Sequence, residues 1–228
     1  CIGKATKICE LLTDKTKEYE AVMLLGRTTD TQDVTGETLT QQEVRCSAKE
    51  VEKAVLSFVG DYMQVPPMYS ALKVNGKKLY ELAREGIEIE RKARTVHFYE
   101  ISILEMKLPL VRMEVTCSKG TYIRTLCHDI GEKLGCHGCM EQLIRTRVGQ
   151  FDRNGAHTLD EIAAIVGEGR LSEILVPVDE MFAALRSFAT ADDHAKKLAE
   201  NGNPLKPAQI REIGETASGG DFAEDEEF

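Results

Sequence analysis

No hydrophobic stretch of this sequence approaches the roughly 20 residues that cross a bilayer, so a membrane-spanning helix is not expected. No signal-peptide pattern opens it, and no internal repeat runs through it. It begins at Cys1 rather than an initiator methionine and reads as a fragment. An even set of cysteines is also missing. Seven cysteines without secretory features argue against a disulfide framework and for reduced thiols in the cytoplasm. A basic excess is absent as well. The net charge is -9, which taken alone argues against a nucleic-acid partner. Five of the acids, however, lie in the last ten residues, and the rest of the chain carries -4. What is present suits a soluble globular protein: 228 residues, 42% hydrophobic and 29% charged, enough for one large domain or a domain with a small appendage.

One stretch organises the rest: Cys117-Ser118-Lys119-Gly120-Thr121-Tyr122-Ile123-Arg124-Thr125-Leu126. It follows the alternating run Leu110–Val115, which reads as a half-buried strand. It precedes Ile123, Leu126, Ile130 and Leu134, an apolar stripe at helical spacing that stops near Gly135. Lys119-Gly120-Thr121 is therefore a strand-to-helix turn with Thr121 as N-cap. Arg124 then falls in the first helical turn, where the helix dipole repels a cation. Its side chain calls for a carboxylate or phosphate; the bland alternative is a surface arginine beside a core tyrosine.

Taken in order, Ile8–Leu12 reads as a short helix and Tyr19–Leu25 as a strand ending at Gly26. Arg27–Gly36 is polar, either an ordinary hairpin loop or a loop presenting a carboxylate. Ser47-Ala48-Lys49-Glu50 is a capping box opening a helix through Phe58. Val65–Lys73 starts extended because of Pro66 and Pro67. Met68 and Tyr69 are core or, beside Lys73, Lys77 and Lys78, a stacking and phosphate surface. Lys78–Arg84 is a short helix. Thr95–Met106 and Leu110–Cys117 form an antiparallel pair. Cys136-His137-Gly138-Cys139 invites a zinc reading, but no second ligand pair stands at zinc-site spacing, which favours structural cysteines. Met140–Ile144 reads as a short helix and Arg145–Phe151 as a strand. Short helices follow at Ile162–Val166, Leu171–Leu175, Val178–Leu185 and Ala191–Glu200. From Lys206 onward, apolar density falls and acids accumulate, and the terminal Gly219-Gly220 and acidic end read as disordered. The fold class is α+β: a mixed, mainly antiparallel sheet flanked by helices, with a cleft across it.

The stretch Cys117–Leu126 resembles the active-site segment of the bacterial TruB-type tRNA pseudouridine synthases, which isomerise the T-loop uridine at tRNA position 55. Further matches come in the family's order: Cys1–Lys7, Tyr19–Gly26, Arg27–Gly36, Pro66–Lys73 with Gly76–Tyr80, and Leu143-Ile144-Arg145. The likeness reaches about Met181. It implies a pseudouridine synthase catalytic domain over 1–180 and a partial PUA-like RNA-binding segment over 181–228. It implies a tRNA partner engaged through its T arm, a monomer, no membrane, and neither metal nor organic cofactor.

By this resemblance Tyr19 lies against the flipped uracil and assists late proton removal. Tyr122 and Leu143 wall the base pocket, and Tyr69 and Lys73 contact substrate. Arg124 pairs with the nucleophilic aspartate and holds it ionised, since a neighbouring cation lowers a carboxylate pKa by about 1–3 units. Asp33 grips Arg124 from the other side. The family places that aspartate in a Gly-x-Leu-Asp-Pro motif ahead of the Cys1 position. None of Asp14, Asp30, Asp33 or Asp61 has such surroundings, so the nucleophile is assigned to no residue here. A binding module that grips tRNA without isomerising uridine is the alternative.

Overall fold

The computed structural model describes residues 1–9, 16–182 and 187–213. The chain divides into two compact units, Cys1–Ala156 and His157–Phe228. The first unit is built on six strands: β1 (Lys17–Leu25), β4 (Gly60–Gln64), β7 (Arg94–Lys107), β8 (Leu110–Cys117), β9 (Gly138–Val148) and β10 (Phe151–Asp152). They lie in the order β10-β9-β1-β8-β7-β4. Every neighbouring pair is antiparallel, so the sheet is not mixed. Two small ribbons stand apart from it: β2 (Arg27–Thr29) with β3 (Thr38–Gln41), and β5 (Lys73–Val74) with β6 (Lys77–Lys78).

Alternation sorts the two faces, as the period of a strand requires. Ala21, Met23 and Leu25 of β1, Val111, Met113 and Val115 of β8, and Phe98 and Ile101 of β7 are buried in one cluster. The opposite face is polar, and cross-strand ion pairs join Arg112 to Glu20 and Arg147 to Glu18. Three described helices of this unit bury apolar side chains. In α1 (Ala48–Leu56), Ser47 and Glu50 close the capping box that the sequence announced, and Val51, Ala54 and Val55 turn inward. The short α2 (Leu79–Arg84) buries Leu79. The longer α3 (Ile123–Leu134) buries Ile123, Leu126, Cys127 and Ile130, and ends on Gly135 in the left-handed conformation at φ 68°.

Two local expectations are corrected. Met140–Ile144 is strand, not helix: Gly138–Val148 pairs along β1, with register shifts that leave Glu141 and Thr146 unpaired in the ladder. A short apolar run does not distinguish the two by periodicity, and the ladder with β1 decides. The N-cap of α3 is Tyr122, which supplies no side-chain cap. Thr121 instead donates its hydroxyl to the Ser118 carbonyl. Gly3–Ile8 form a 3-10 helix leading into the helix expected from Ile8; Cys9 is α-helical, and residues 10–12 lie outside the described residues.

In the second unit, α4 (Leu159–Gly167) carries a Thr158–Glu161 capping box. Leu171–Glu173 and Asp179–Phe182 are single 3-10 turns, shorter than the helices expected there; residues 183–185 lie outside the described residues. α5 (Asp193–Glu200) is capped by Asp192. β11 (Ser187–Thr190) pairs with β12 (Ile210–Ile213). Regular structure is described as far as Ile213. The acidic end lies outside the described residues.

Candidate active site

The first component is the open end of the buried sheet face. Tyr19 stands opposite Val115 of β8 and Arg145 of β9, and Ala21 stands opposite Leu143. Directly paired residues share a face, so Tyr19, Leu143 and Arg145 lie on the same side as the core. There the core gives way to solvent: Leu143 is 39% exposed, while Val115 and Ala21 are fully buried. Tyr19 is half-buried and packs against the core. Burial pushes its phenol pKa upward, Cys117 adds to the rise, and the Arg145 guanidinium opposes it. Burial also drives the Cys117 thiol up to about 11, so it is a neutral packing group at ordinary pH.

The second component is the first turn of α3. Tyr122 shares a cleft of about 470 Å³ with Lys17, Leu72, Arg94, Thr95, Val96, Lys119 and Gly120. Lys17 is two residues before Tyr19 on the same strand, hence on the same face. Three of the lining side chains are cationic and none is acidic. Gly120, at φ +77° with open space around it, makes the turn that delivers Tyr122 to the cleft. Tyr122 is held by a residue the sequence reading overlooked. The Gln64 amide accepts from the Tyr122 N–H at 2.8 Å and donates to its C=O at 3.1 Å.

The third component is the ribbon tip between β2 and β3. Val34 N–H donates to Met140 C=O, Met140 N–H donates to Gln32 C=O, and Asp33 bridges Met140 in parallel. Thr125 of α3 donates its hydroxyl to the Gln32 side chain at 2.7 Å. The loop is thereby clamped between α3 and the start of β9, one residue along from Arg124. The Arg124–Asp33 ion pair implied by the family resemblance is nevertheless not formed. Asp33 Oδ1 accepts from the Thr35 backbone and hydroxyl, at 2.9 and 2.7 Å. Arg124 is half-buried and has no hydrogen bond or ion pair among the described residues.

The remaining expected contacts are scattered. Tyr69 is half-buried, and its phenol pKa is raised by burial and by the neighbouring Asp30 carboxylate. Lys73 is exposed on the β5–β6 ribbon, cross-strand from Lys78. The two ends of Cys136-His137-Gly138-Cys139 part company. Cys136 faces Cys46, with sulfurs 3.5 Å apart, and Cys139 is fully buried near Cys127. Among the described residues no three His, Cys, Asp or Glu side chains converge as a metal-ligand set. The candidate aspartates are engaged locally: Asp30 accepts from Glu37 N–H at 2.8 Å, Asp33 accepts from Thr35, and Asp61 pairs with His97 at 2.6 Å. Asp14 lies outside the described residues.

Residues 1–123 match the family model described as TruB family pseudouridylate synthase, N terminal domain. The chain belongs to that family. Residues 124–183 match the tRNA pseudouridylate synthase B C-terminal domain. The chain is 49% identical over 205 residues to the tRNA pseudouridine synthase B of Alkaliphilus oremlandii, covering 90% of this chain and 67% of the relative. It is 46% identical over 212 residues to that of Clostridium acetobutylicum, covering 93% and 72%. Among solved structures it resembles a chain of a Cbf5-Nop10-Gar1 complex, with TM-score 0.69 and 25% identity, covering 93% of this chain and 56% of that one. The chain therefore spans about two thirds of these curated relatives and little over half of that solved chain.

Within this TruB-family chain, Gln64 had a signal that went unread. It follows Tyr62 on a strand whose even positions turn inward, and it is 1% exposed. A fully buried glutamine must spend its amide on partners.

Proposed function

We propose that this chain is the main part of a tRNA pseudouridine synthase that isomerises the T-loop uridine at position 55. Pseudouridine formation breaks the C1'–N1 bond, turns the uracil and rejoins it through C5. The base must first leave its stack and enter a shaped pocket. The observation that carries this reading is the grouping of Tyr19 and Leu143 where the core face opens, beside a cationic cleft walled by Tyr122. A flat apolar patch with a phenol suits a flipped uracil. Lys17, Arg94 and Lys119 suit the phosphates on either side of it.

In this reading Tyr19 contacts the uracil as a neutral phenol and assists proton removal by holding the base in place while the C5 proton passes to water. Leu143 and Tyr122 are the pocket walls. Arg124, in the first turn of α3 and in no ion pair among the described residues, is the cation that receives the nucleophilic aspartate. Asp33 braces the same region from the clamped loop. Tyr69 and Lys73 contact the RNA farther out, and β11, α5 and β12 begin a PUA-like RNA-binding unit. The T arm is the partner, and the protein acts in the cytoplasm.

Supplying the full-length protein with tRNA carrying tritium at C5 of uridine tests this directly. Release of tritium, lost when the T-loop uridine is replaced by cytidine, is the expected result. Tight tRNA binding without release overturns the catalytic reading and leaves a binding module.

A further inference from the structure

We infer that Gln64 is a positioning residue of this site, acting on the uracil pocket through the main chain of Tyr122; the inference rests on the function proposed above. Gln64 ends β4, and Tyr122 opens α3 fifty-eight residues later. One side-chain amide satisfies both main-chain groups of one residue, at 2.8 and 3.1 Å. The pattern is that of a strand rung, and Tyr122 is extended, at φ -105° and ψ 107°. Two hydrogen bonds from a planar amide fix the peptide planes on both sides of Tyr122, and with them the direction of its Cα–Cβ bond. That direction aims the phenol ring.

Among the described residues, neither side chain at the N-cap does this. Tyr122 brings no capping side chain. Thr121, one residue earlier, turns back to the Ser118 carbonyl. The Tyr122 carbonyl also accepts the helical bond from Leu126 N–H, but the Tyr122 N–H has Gln64 as its partner. Gln64 also stands directly before Val65-Pro66-Pro67, and the chain from there leads to Leu72. Leu72 and Tyr122 line the same cleft. Gln64 thus ties the chain that leads to Leu72 to the turn that carries Tyr122.

The chemistry admits few replacements. A leucine fills the space but leaves the Tyr122 N–H without an acceptor. An ionised glutamate accepts from that N–H yet sets a second oxygen against the Tyr122 carbonyl. A protonated glutamate reproduces both bonds, and burial favours that neutral form by raising the carboxyl pKa. The competent state of Gln64→Glu is thus its protonated one. Its activity relative to wild type rises as pH falls.

The test measures kcat, KM and tRNA affinity for tritium release by wild type, Gln64→Leu and Gln64→Glu, between about pH 8 and about pH 6. The expected results are a loss in kcat of about tenfold or more for Gln64→Leu with affinity within about threefold, and partial recovery of Gln64→Glu toward pH 6. Hydrogen exchange of the peptide spanning Tyr122, expected to quicken in Gln64→Leu, reports the contact independently of activity. Unchanged kcat in folded Gln64→Leu, a flat pH ratio for Gln64→Glu, or unchanged exchange at Tyr122 each overturns the inference while the wild type stays active. An inactive wild type instead removes the proposed function, and the positioning role with it.

Discussion

Gly131 of α3 and Gly138 at the start of β9 meet backbone to backbone. A Cβ on Gly131 would stand 2.1 Å from the Gly138 nitrogen and 2.2 Å from the His137 carbonyl carbon. These are main-chain atoms with no rotamer to change. Helix propensity alone favours Gly131→Ala by about 1 kcal/mol. The overlap forces a backbone shift that costs about 1–3 kcal/mol or more, and the clash wins. Urea denaturation of Gly131→Ala should show a net loss of about 2 kcal/mol; equal or greater stability would show that α3 and β9 are not in contact there. Gly120→Ala meets nothing within 4 Å and should lose only the left-handed strain, about 1–2 kcal/mol.

Tyr19→Phe should leave tRNA affinity within a few-fold and lower single-turnover tritium release by about 10²-fold or more. Burial raises the Tyr19 pKa above its usual value. The group is therefore protonated throughout the neutral range, and no rate limb from its ionisation should appear below about pH 10. Turnover equal to wild type would remove Tyr19 from the chemistry.

The Arg124 guanidinium has no hydrogen bond or ion pair among the described residues, so its truncation removes no polar contact seen there. Arg124→Ala should shift stability by no more than about 0.5 kcal/mol while abolishing tritium release. Arg124→Lys should recover little, because a single ammonium does not reproduce the guanidinium fork. An Arg124→Ala protein that unfolds easily, or that remains active, contradicts this account from opposite sides.

Cys46 and Cys136 have sulfurs 3.5 Å apart, and a disulfide needs about 2.05 Å. Burial pushes the Cys136 thiol up to about 12, so the more exposed Cys46 makes the first attack. Incubation with oxidised glutathione should cost the protein two titratable thiols and release two equivalents of reduced glutathione. The bond joins residues 90 apart in sequence, so chain entropy predicts a rise in stability of up to about 4 kcal/mol. Cys46→Ser should abolish both effects; a thiol count unchanged in the wild type would show that the pair does not close.

Much of the architecture was legible because its causes are local. Ser47 and Glu50 cap α1 from within four residues, and Thr158 and Glu161 do the same for α4. Gly135 stops α3 by adopting a conformation that glycine reaches without strain. Alternation marked β1 and β8. Locality also explains the errors. Met140, Leu143 and Ile144 form a short apolar run that suits helix or strand equally, and only the ladder with β1 decides between them. Thr121 had a good N-cap side chain but found the Ser118 carbonyl first.

By itself, the order of residues settled the family, the position of the α3 turn and the identity of the aromatic and cationic groups along it, since each is carried by a contiguous motif. Tertiary structure alone decided which of those groups meet. Tyr19 and Leu143 share a surface because β1 and β9 pair in one register, and Tyr122 is held by a glutamine fifty-eight positions away. Such contacts depend on how distant segments pack, and no spacing within a segment encodes them.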